Sequence, residues 1–452
     1  MFHVSNETYV KGGIIFFLVL LAMVLFLIST GLSIDNPRFE RTDWKEEPIQ
    51  FPSILRFISH NPEVYGQICF GLIIETKRGE PTKVLNLSAI EPRLGSEFLQ
   101  FIAMDGFTLA DEWFKNRSMQ VANDFMEIVD QSELAERILS PVDFRMDELI
   151  NKERLIIGVG FNYSEHIEES DSDVDRFAFA KLTEPVGAYA PITMASGIDT
   201  GGEPAWLTDY EVELAFVVLE DIAVTELTND PEAFNRRIAF FNANDVTDRK
   251  PIIIEGHEGF TIAKSKPGYL PLGPWMIHGR NLMPKTGRYG KRDLAIGLRV
   301  FESIPSNGGS WRQEAKSSEM IRSPLAILKM LPDIYKTSYR SNKEGKLYSV
   351  LLERDDKLII PRGSIVLTGT PEGTAIEAPG LFDKLRLLIR AGFSLKKVRL
   401  LFTEHSISYK KEMGYLSPGD RVDANIQYLG TQRWLFISSD LSQQNVLTHV
   451  LH

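Results

Sequence analysis

The stretch Trp206-Leu-Thr-Asp-Tyr-Glu211-Val-Glu213-Leu-Ala-Phe-Val-Val218 decides how this chain is interpreted. Its β-branched and aromatic residues predict a strand that runs into a core, and successive side chains of a strand point to opposite faces. Glu211 and Glu213 therefore share one face. Two carboxylates held side by side resist ionising together without a cation, and oxygen ligands favour a hard divalent ion such as Mg²⁺, Mn²⁺ or Ca²⁺. The alternative interpretation places both glutamates on the solvated face of a half-buried strand.

Length and composition describe an ordinary folded protein. The 452 residues leave room for two domains, and 43% hydrophobic with 25% charged residues is typical of globular chains. A net charge of -11 argues against a nucleic-acid partner, because phosphate binding needs a concentrated basic surface. The single cysteine, Cys69, excludes an internal disulfide and a cysteine-based zinc site.

The N-terminus predicts a membrane segment. Residues 12–34 carry no charge and are long enough to cross a bilayer as a single helix, after a short tail at residues 1–11. A cleaved signal peptide is the alternative, because small residues follow the apolar run at positions 29–31. Three basic residues follow the segment within residues 38–45 and only Lys11 precedes it. The positive-inside rule therefore favours a single-pass membrane protein with a cytoplasmic catalytic part.

Residue patterns divide the remainder into a linker at 35–53, a small α+β domain at 54–150, a catalytic domain at 151–440 and a tail at 441–452. In the small domain we expect a strand pair at 66–75 and 83–87, then helices at 97–115 and 119–138. Short β-branched runs separated by Gly and Pro turns follow residue 154. The predicted fold class is α+β and mostly β.

Four further motifs carry chemically useful side chains. His166 and Glu169 are three residues apart, so on a helical turn they face the same way, and the carboxylate makes the imidazole a stronger base. Each motif is weak by itself. The other three are Asn244-Asp245-Val-Thr-Asp-Arg249, Lys264-Ser followed by Pro271-Leu-Gly-Pro274, and the glycine-rich Leu367-Thr-Gly-Thr-Pro371-Glu-Gly373.

Together, the order and spacing of these motifs resemble the fumarylacetoacetate hydrolase family over roughly residues 155–436. The resemblance implies a mixed β-roll fold, often found as a homodimer. It implies a metal site at Glu211, Glu213 and Asp245, with Mg²⁺ the expected ion and Mn²⁺ or Ca²⁺ the alternatives. By the same resemblance, His166 and Glu169 activate a water and Lys264 stabilises negative charge on the substrate. The positions matched to substrate binding are Lys181, Arg249, Gly369 and Thr370.

The chemistry of a 2-oxo acid agrees with this resemblance. Such an acid chelates a divalent cation through its carboxylate and keto oxygen, which prepares the adjacent bond for cleavage. We therefore expect hydrolysis of a carbon–carbon bond in a small 2-oxo or 2,4-dioxo acid. Decarboxylation, isomerisation and hydration or elimination on the same scaffold are the nearest alternatives. A membrane-attached binding protein without catalysis is the alternative from another class.

Several positions depart from the family pattern. Asp248 precedes Arg249, Lys266-Pro267 follows Lys264-Ser, and Arg362-Gly-Ser364 precedes the glycine-rich loop. Residues 379–411 look like an addition in which cationic and aliphatic residues alternate. One hypothesis places this addition on the membrane surface, and another makes it an edge element or subunit contact.

Overall fold

The computed structural model describes residues 32, 49–116, 123–164, 177–194, 206–283, 293–303, 309–335 and 349–438. None of the helices formed by these residues has the length and apolar character needed to span a bilayer. Apart from Leu32, the predicted anchor at residues 12–34 lies outside the described residues, as do both predicted tails and the predicted linker up to residue 48.

Strands make up most of the regular structure. The first half of the chain contributes β1 (Ser53–Ile58), β2 (Ile68–Lys77), β3 (Glu80–Asn86), β4 (Met126–Ile128), β5 (Ile138–Leu139), β6 (Ile156–Gly160), β7 (Phe177–Ala180), β8 (Val186–Gly187), β9 (Ile192–Thr193), β10 (Thr208–Asp209) and β11 (Val212–Val218). The second half contributes β12 (Ile222–Ala223), β13 (Ile238–Asn244), β14 (Thr247–Asp248), β15 (Pro271–His278), β16 (Ala295–Phe301), β17 (Ser310–Lys316), β18 (Leu352–Arg354), β19 (Lys357–Ile360), β20 (Ile365–Leu367), β21 (Arg421–Ile426) and β22 (Gly430–Ile437).

The helices are short and lie between these strands. They are α1 (Leu87–Ile90), α2 (Phe98–Ala103), α3 (Gly106–Asn116), α4 (Leu134–Arg137), α5 (Met146–Ile150), α6 (Pro231–Asn235), α7 (Arg249–Glu255), α8 (Phe260–Lys264), α9 (Gly279–Leu282), α10 (Pro324–Tyr335), α11 (Leu381–Arg390) and α12 (Leu395–Ser408). Single 3-10 turns occur at Pro92–Leu94, Asn123–Phe125, Gln131–Glu133, Val224–Glu226, Gly256–Gly259 and Ser317–Glu319.

One large sheet organises the fold. Its strand order is β4-β3-β2-β1-β15-β13-β11-β20-β6-β7, with β5 and β8 paired to β1 and β15. A second sheet, β17-β16-β21-β22-β9, packs against it, and the inner faces of both sheets share one apolar core. The helices α2 and α3 contribute Phe101 and Phe107 to a second core on the other face of the large sheet. The architecture is mixed α/β and mostly sheet, which confirms the predicted predominance of strands.

The large sheet crosses the predicted domain boundary at residue 150. β1 of the N-terminal part pairs antiparallel with β15 of the catalytic part, through Ser53 opposite Ile277 and Ile54 opposite Met276. The two parts are therefore joined by backbone hydrogen bonds as well as by the chain, and the domain limits stay a prediction.

The predicted strand pair near the N-terminus is present as β2 and β3, and the first predicted helix is present as α2 and α3. The second predicted helix, at residues 119–138, is wrong over most of its described part, in which α4 (Leu134–Arg137) is the α-helical portion. Residues 126–128 form β4, which pairs with β3, and Glu127 within it is buried. Its carboxylate accepts hydrogen bonds from Ser59 and Arg137 at 2.6 and 2.9 Å, so this tertiary network overrides the helical spacing of the apolar residues.

Candidate metal centre and cavity

Glu213 lies near the start of the central strand β11, and Glu211 immediately precedes this strand. Val212, Leu214, Phe216 and Val218 fill one face of this strand, and Glu213 lies on the other face with Ala215 and Val217. Strands on both sides cover β11, and both glutamates are buried, with only 4% and 2% of their surface exposed. Their burial is the opposite of what the solvated-face alternative requires.

Asp245 joins them from the end of the neighbouring strand. β13 ends at Asn244, whose side-chain Oδ1 accepts the backbone N–H of Glu211 at 3.0 Å, and the backbone N–H of Asp245 donates to the carbonyl of Glu211 at 2.8 Å. These bonds fix the ends of the two strands side by side. One carboxylate oxygen from each of Glu211, Glu213 and Asp245 lies within 4.8 Å of the others.

Three buried cations surround these carboxylates. The Nζ of Lys264 lies 2.7 Å from both Glu211 Oε2 and Asp245 Oδ2. The guanidinium of Arg249 contacts Glu211 Oε1 at 2.6 Å. Lys181 donates to the second oxygen of Asp245. Each cation is thus held by a carboxylate of the predicted metal site.

These contacts change the acid–base properties of the cations. Burial alone lowers the pKa of Lys264, but Asp245 and Glu211 raise it more, so the ammonium stays charged. Burial is the stronger influence at Lys181 and lowers its pKa despite Asp245. Arg249 has a raised pKa because Glu211 and Asp209 outweigh its burial.

Asp209, which the sequence analysis did not single out, belongs to the same cluster. It is fully buried, and its Oδ2 accepts from Nε of Arg249 at 2.8 Å. Its Oδ1 accepts backbone N–H groups of Tyr210 and Ala375. Asp209 therefore orients Arg249 toward Glu211. A charged residue two positions before the glutamate pair was the available signal.

The cluster has more formal negative than positive charge. Asp209, Glu211, Glu213 and Asp245 oppose Lys181, Arg249 and Lys264. Within the part of the chain that the structure describes, Glu213 is the carboxylate of this cluster without an ion-pair partner, and it accepts the backbone N–H of Gly369 at 2.6 Å. Burial and then its acidic neighbours Asp245 and Glu211 raise the pKa of Glu213 well above its usual range.

The donor set fits a hard divalent cation. Buried carboxylates with uncompensated negative charge are costly unless a cation pairs with them. Oxygen donors are the ligands that Mg²⁺, Mn²⁺ and Ca²⁺ prefer. The residues that would hold such an ion are Glu211, Glu213 and Asp245. Loss of the proton from Lys181 would increase the negative excess further.

The glycine-rich loop after β20 supports this centre from one side. Thr368 and Thr370 donate their hydroxyls to the carbonyls of Leu214 and Val212 at 2.7 and 3.1 Å, which fastens the loop along β11. Gly369 between them has a φ of 93°, where a side chain is strained. A Cβ there would lie 2.9 Å from Cβ of Asn162, so the loop needs glycine at this position.

Gln313 is a second supporting residue that the sequence analysis missed. Its Oε1 accepts the backbone N–H of Val212 at 3.0 Å, and its Nε2 donates to Thr370 Oγ1 at 2.8 Å. The side chain is fully buried and links β11 to the glycine-rich loop. It lies on β17 amid charged neighbours, and nothing in its local sequence marks this role.

A cavity of about 770 Å³ opens beside the carboxylates. Its polar lining consists of Glu211, Arg249, Lys264 and Thr370 from the cluster, together with Glu377, Lys384 and Arg399. Apolar side chains from α7, α8, α11 and α12 form much of the remaining wall. The added segment at residues 379–411 therefore lies over the site, since α11 and α12 belong to it.

The predicted site residues separate into three groups. Lys264, Arg249 and Thr370 line the cavity, as does the predicted metal ligand Glu211. Lys181 and Gly369 contact the carboxylates Asp245 and Glu213 without lining the cavity. Their substrate-binding role stays a prediction. The predicted base His166 and its partner Glu169 lie outside the described residues.

Comparison with known proteins identifies what this chain is similar to. Residues 155–435 match the family model described as "Fumarylacetoacetate (FAA) hydrolase C-terminal". Over 254 residues the chain is 23% identical to the mitochondrial oxaloacetate tautomerase FAHD2 of Oryza sativa subsp. japonica, covering 55% of this chain and 93% of that protein.

Two solved structures share the fold. The fumarylacetoacetate hydrolase of the psychrophile Exiguobacterium antarcticum is 20% identical with a TM-score of 0.50, covering 86% of this chain and 99% of the other. A protein from Mycobacterium smegmatis described as HpcE is 18% identical with a TM-score of 0.50, covering 85% and 99%.

Proposed function

The chain belongs to the fumarylacetoacetate hydrolase family, and from this premise we propose that it is a divalent-metal-dependent enzyme that hydrolyses a carbon–carbon bond in a 2-oxo or 2,4-dioxo acid. The observation that carries the proposal is the convergence of Glu211, Glu213 and Asp245 within 4.8 Å, beside a cavity that Glu211 lines. The preferred metal in this proposal is Mg²⁺.

The overall reaction of an acylpyruvate consumes one water. A water oxygen bonds to the acyl carbonyl carbon, the bond from that carbon to the methylene group breaks, and its electron pair leaves as the enolate of pyruvate. Protonation of this enolate gives pyruvate and the free carboxylic acid. When bound, the metal ion supplies Lewis-acid polarisation of the 2-oxo group.

The residues of the chain have distinct parts in this proposal. Lys264 lines the cavity as a buried ammonium. In this proposal it stabilises the negative charge that develops on the acyl carbonyl oxygen when water adds to the carbonyl carbon. His166, oriented by Glu169, takes the proton of the water; this assignment rests on the motif and on the family. Arg249, whose guanidinium is held by Asp209 and Glu211, supports the carboxylate of the substrate.

Keto–enol tautomerisation is the second candidate function. It is favoured by the similarity to an oxaloacetate tautomerase, and it uses the same enolate without adding water. Product analysis separates the two functions. A hydrolase converts acetylpyruvate to pyruvate and acetate, whereas a tautomerase accelerates only the exchange between the keto and enol forms.

Two further parts of the proposal concern assembly and location. The family resemblance supports a homodimer, which light scattering from the purified protein would test. The uncharged run at residues 12–34 supports a retained single-pass anchor with the catalytic part in the cytoplasm. Carbonate extraction of membranes from expressing cells tests the anchor, since a peripheral protein is released and an anchored one is not.

Calorimetric titration with Mg²⁺ and Mn²⁺ tests the metal centre directly. We expect one divalent ion to bind per chain, and Glu213→Gln to weaken that binding about a hundredfold or more. The control is Glu232→Gln, which alters an exposed carboxylate paired with Arg236 on the surface. Absence of metal binding by the wild-type protein would leave the non-catalytic binding protein as the better interpretation.

A further inference from the structure

The cavity beside the metal centre is much larger than a small dicarboxylate requires. Its volume of about 770 Å³ lies in the upper part of the range of about 300–1,000 Å³ found for sites that bind drug-sized ligands. The charged groups at its inner end account for the oxo-acid head of a substrate. The space beyond them needs another explanation.

One wall of that space is aromatic. Phe161, Phe179 and Phe260 line it, and Phe177 packs behind them with its ring centroid 4.5 Å from that of Phe260 and 5.7 Å from that of Phe179. These four rings form a small apolar cluster separate from the main cores of the protein. A cluster that borders a cavity offers apolar surface to a ligand.

The opposite wall comes from the helices of the added segment. Leu387 and Leu388 of α11 and Val398 and Phe402 of α12 line the cavity. Arg399 holds α12 over the site. Its guanidinium donates a 3.0 Å hydrogen bond to the carbonyl of Ile254, near the end of α7. The added segment thus provides a mainly apolar cover, in which Lys384 and Arg399 are the charged lining residues.

We infer that the substrate is an oxo acid with an apolar acyl chain, and that this chain lies between the phenylalanine wall and the helices α11 and α12. The inference rests on the proposed function for the identity of the head group. It adds the substrate class that the size and lining of the cavity favour. An aliphatic chain buried along the apolar side chains gains from removal of its surface from water, whereas a second carboxylate would be desolvated there unless it reached Lys384 or Arg399.

Binding of a homologous series tests this inference without requiring turnover. The full-length protein loaded with Mg²⁺ is titrated with pyruvate, 2-oxohexanoate, 2-oxodecanoate and oxaloacetate, each below its micellar concentration. We expect affinity to rise about fourfold for each added methylene until the cavity is filled. Equal affinity along the series, or tighter binding of oxaloacetate than of 2-oxodecanoate, would overturn the inference.

Variants that fill the cavity locate the bound chain. Leu388→Trp and Val398→Trp should weaken binding of 2-oxodecanoate at least tenfold and leave that of pyruvate unchanged. Leu400→Trp is the matched control, because Leu400 lies on α12, is 42% exposed and does not line the cavity. Thermal unfolding of each variant verifies that it is folded. Weakening by the control alone would also contradict the inference.

Turnover distinguishes failure of the inference from failure of the proposed function. If acetylpyruvate is hydrolysed and the affinities of the 2-oxo acids are flat, the function stands and the apolar chain is excluded. If no acylpyruvate of any length is hydrolysed but affinity rises with chain length, hydrolysis is excluded and the preference for an apolar ligand stands.

Discussion

Gly369 donates its backbone N–H to Oε2 of Glu213 across 2.6 Å. Among the described residues this bond is the hydrogen bond that holds the Glu213 carboxylate, whose charged neighbours are Asp245, Glu211 and the cation Lys264. The left-handed backbone of Gly369 aims the donor, so the loop conformation and the metal centre depend on each other.

Gly369→Ala should therefore damage both stability and metal binding. The new Cβ would meet Asn162 Cβ at 2.9 Å in addition to straining a φ of 93°. We expect a loss of more than about 2 kcal/mol in the free energy of unfolding, measured in urea. Gly268→Ala is the control, because Gly268 also has a positive φ but has open space around its Cβ position. Its loss should be about 1 kcal/mol, and an equal loss in both variants would contradict the steric argument.

Lys264→Met should separate catalysis from metal binding. The ammonium contacts two of the three predicted metal ligands at 2.7 Å, so its removal leaves more negative charge for a divalent ion. We expect metal affinity to be unchanged or tighter, and turnover of an acylpyruvate to fall about 10²–10³-fold through loss of oxyanion stabilisation. Calorimetry and steady-state kinetics on the same sample check both. A loss of metal affinity would assign Lys264 a role in building the centre instead.

Asp209→Asn should be strongly destabilising because it breaks a buried ion pair. Both Asp209 and Arg249 are buried, and Nε of Arg249 lies 2.8 Å from Oδ2 of Asp209. The variant leaves Arg249 with Glu211 as its remaining partner, so we expect a loss near the lower end of the range of about 3–5 kcal/mol found for broken buried pairs. The matched comparison is Glu232→Gln, in which a pair with both side chains about half exposed should contribute less than about 1 kcal/mol. Similar unfolding midpoints for the two variants would disprove the structural role of Asp209.

The burial of His278 should make the free energy of unfolding depend on pH. It is buried beside the ring of Phe107, and its Nδ1 accepts the backbone N–H of Arg280 at 3.1 Å. Burial, and then the charge of Arg280, lower the pKa of His278 from 6.5 to about 3. The unfolded chain takes up a proton below pH 6.5 while the folded protein does not. The free energy of unfolding is therefore not reduced by His278 above pH 6.5, and it decreases progressively as the pH falls from 6.5 toward 3.

Comparison with His278→Asn isolates this contribution, since asparagine keeps an acceptor for Arg280 and does not titrate. Below pH 6.5 the wild-type protein should lose up to about 1.4 kcal/mol per pH unit more than the variant. Urea unfolding at several pH values measures the difference. Parallel curves for the two proteins in this range would mean that His278 is protonated in the folded state.

The sequence predicts those site residues that are neighbours along the chain better than those that the folded sheets bring together. The shared face of Glu211 and Glu213 follows from strand alternation, and the structure has both on the same side of the chain entering β11. Asp245 is linked to them only through the pairing of β11 with β13, so its inclusion needed the family resemblance. Gln313 reaches the site from another sheet, and no local pattern could have identified it.

The fold was predicted well where residue pattern and environment agree. The strand pair β2 and β3 follows from alternation and a turn. Residues 123–138 have helical spacing, but burial of Glu127 against Arg137 makes β4 the better arrangement. The amphipathic pattern of α11 and α12 fits a membrane surface, a subunit contact or a cavity wall equally well. The tertiary structure shows that both helices line the cavity, and the placement of this segment on a membrane surface stays a prediction.

The pairing of β1 with β15 has a consequence for how the chain acquires its structure. Ser53 and Ile277 face each other although the whole predicted small domain and part of the catalytic part lie between them in sequence. On the ribosome, the N-terminal strands emerge long before the strand that completes their hydrogen bonding. Contacts this distant in sequence slow folding. Until β15 is synthesised, the edge of β1 that pairs with it has unpaired backbone groups, and molecular chaperones commonly protect nascent chains in such a state.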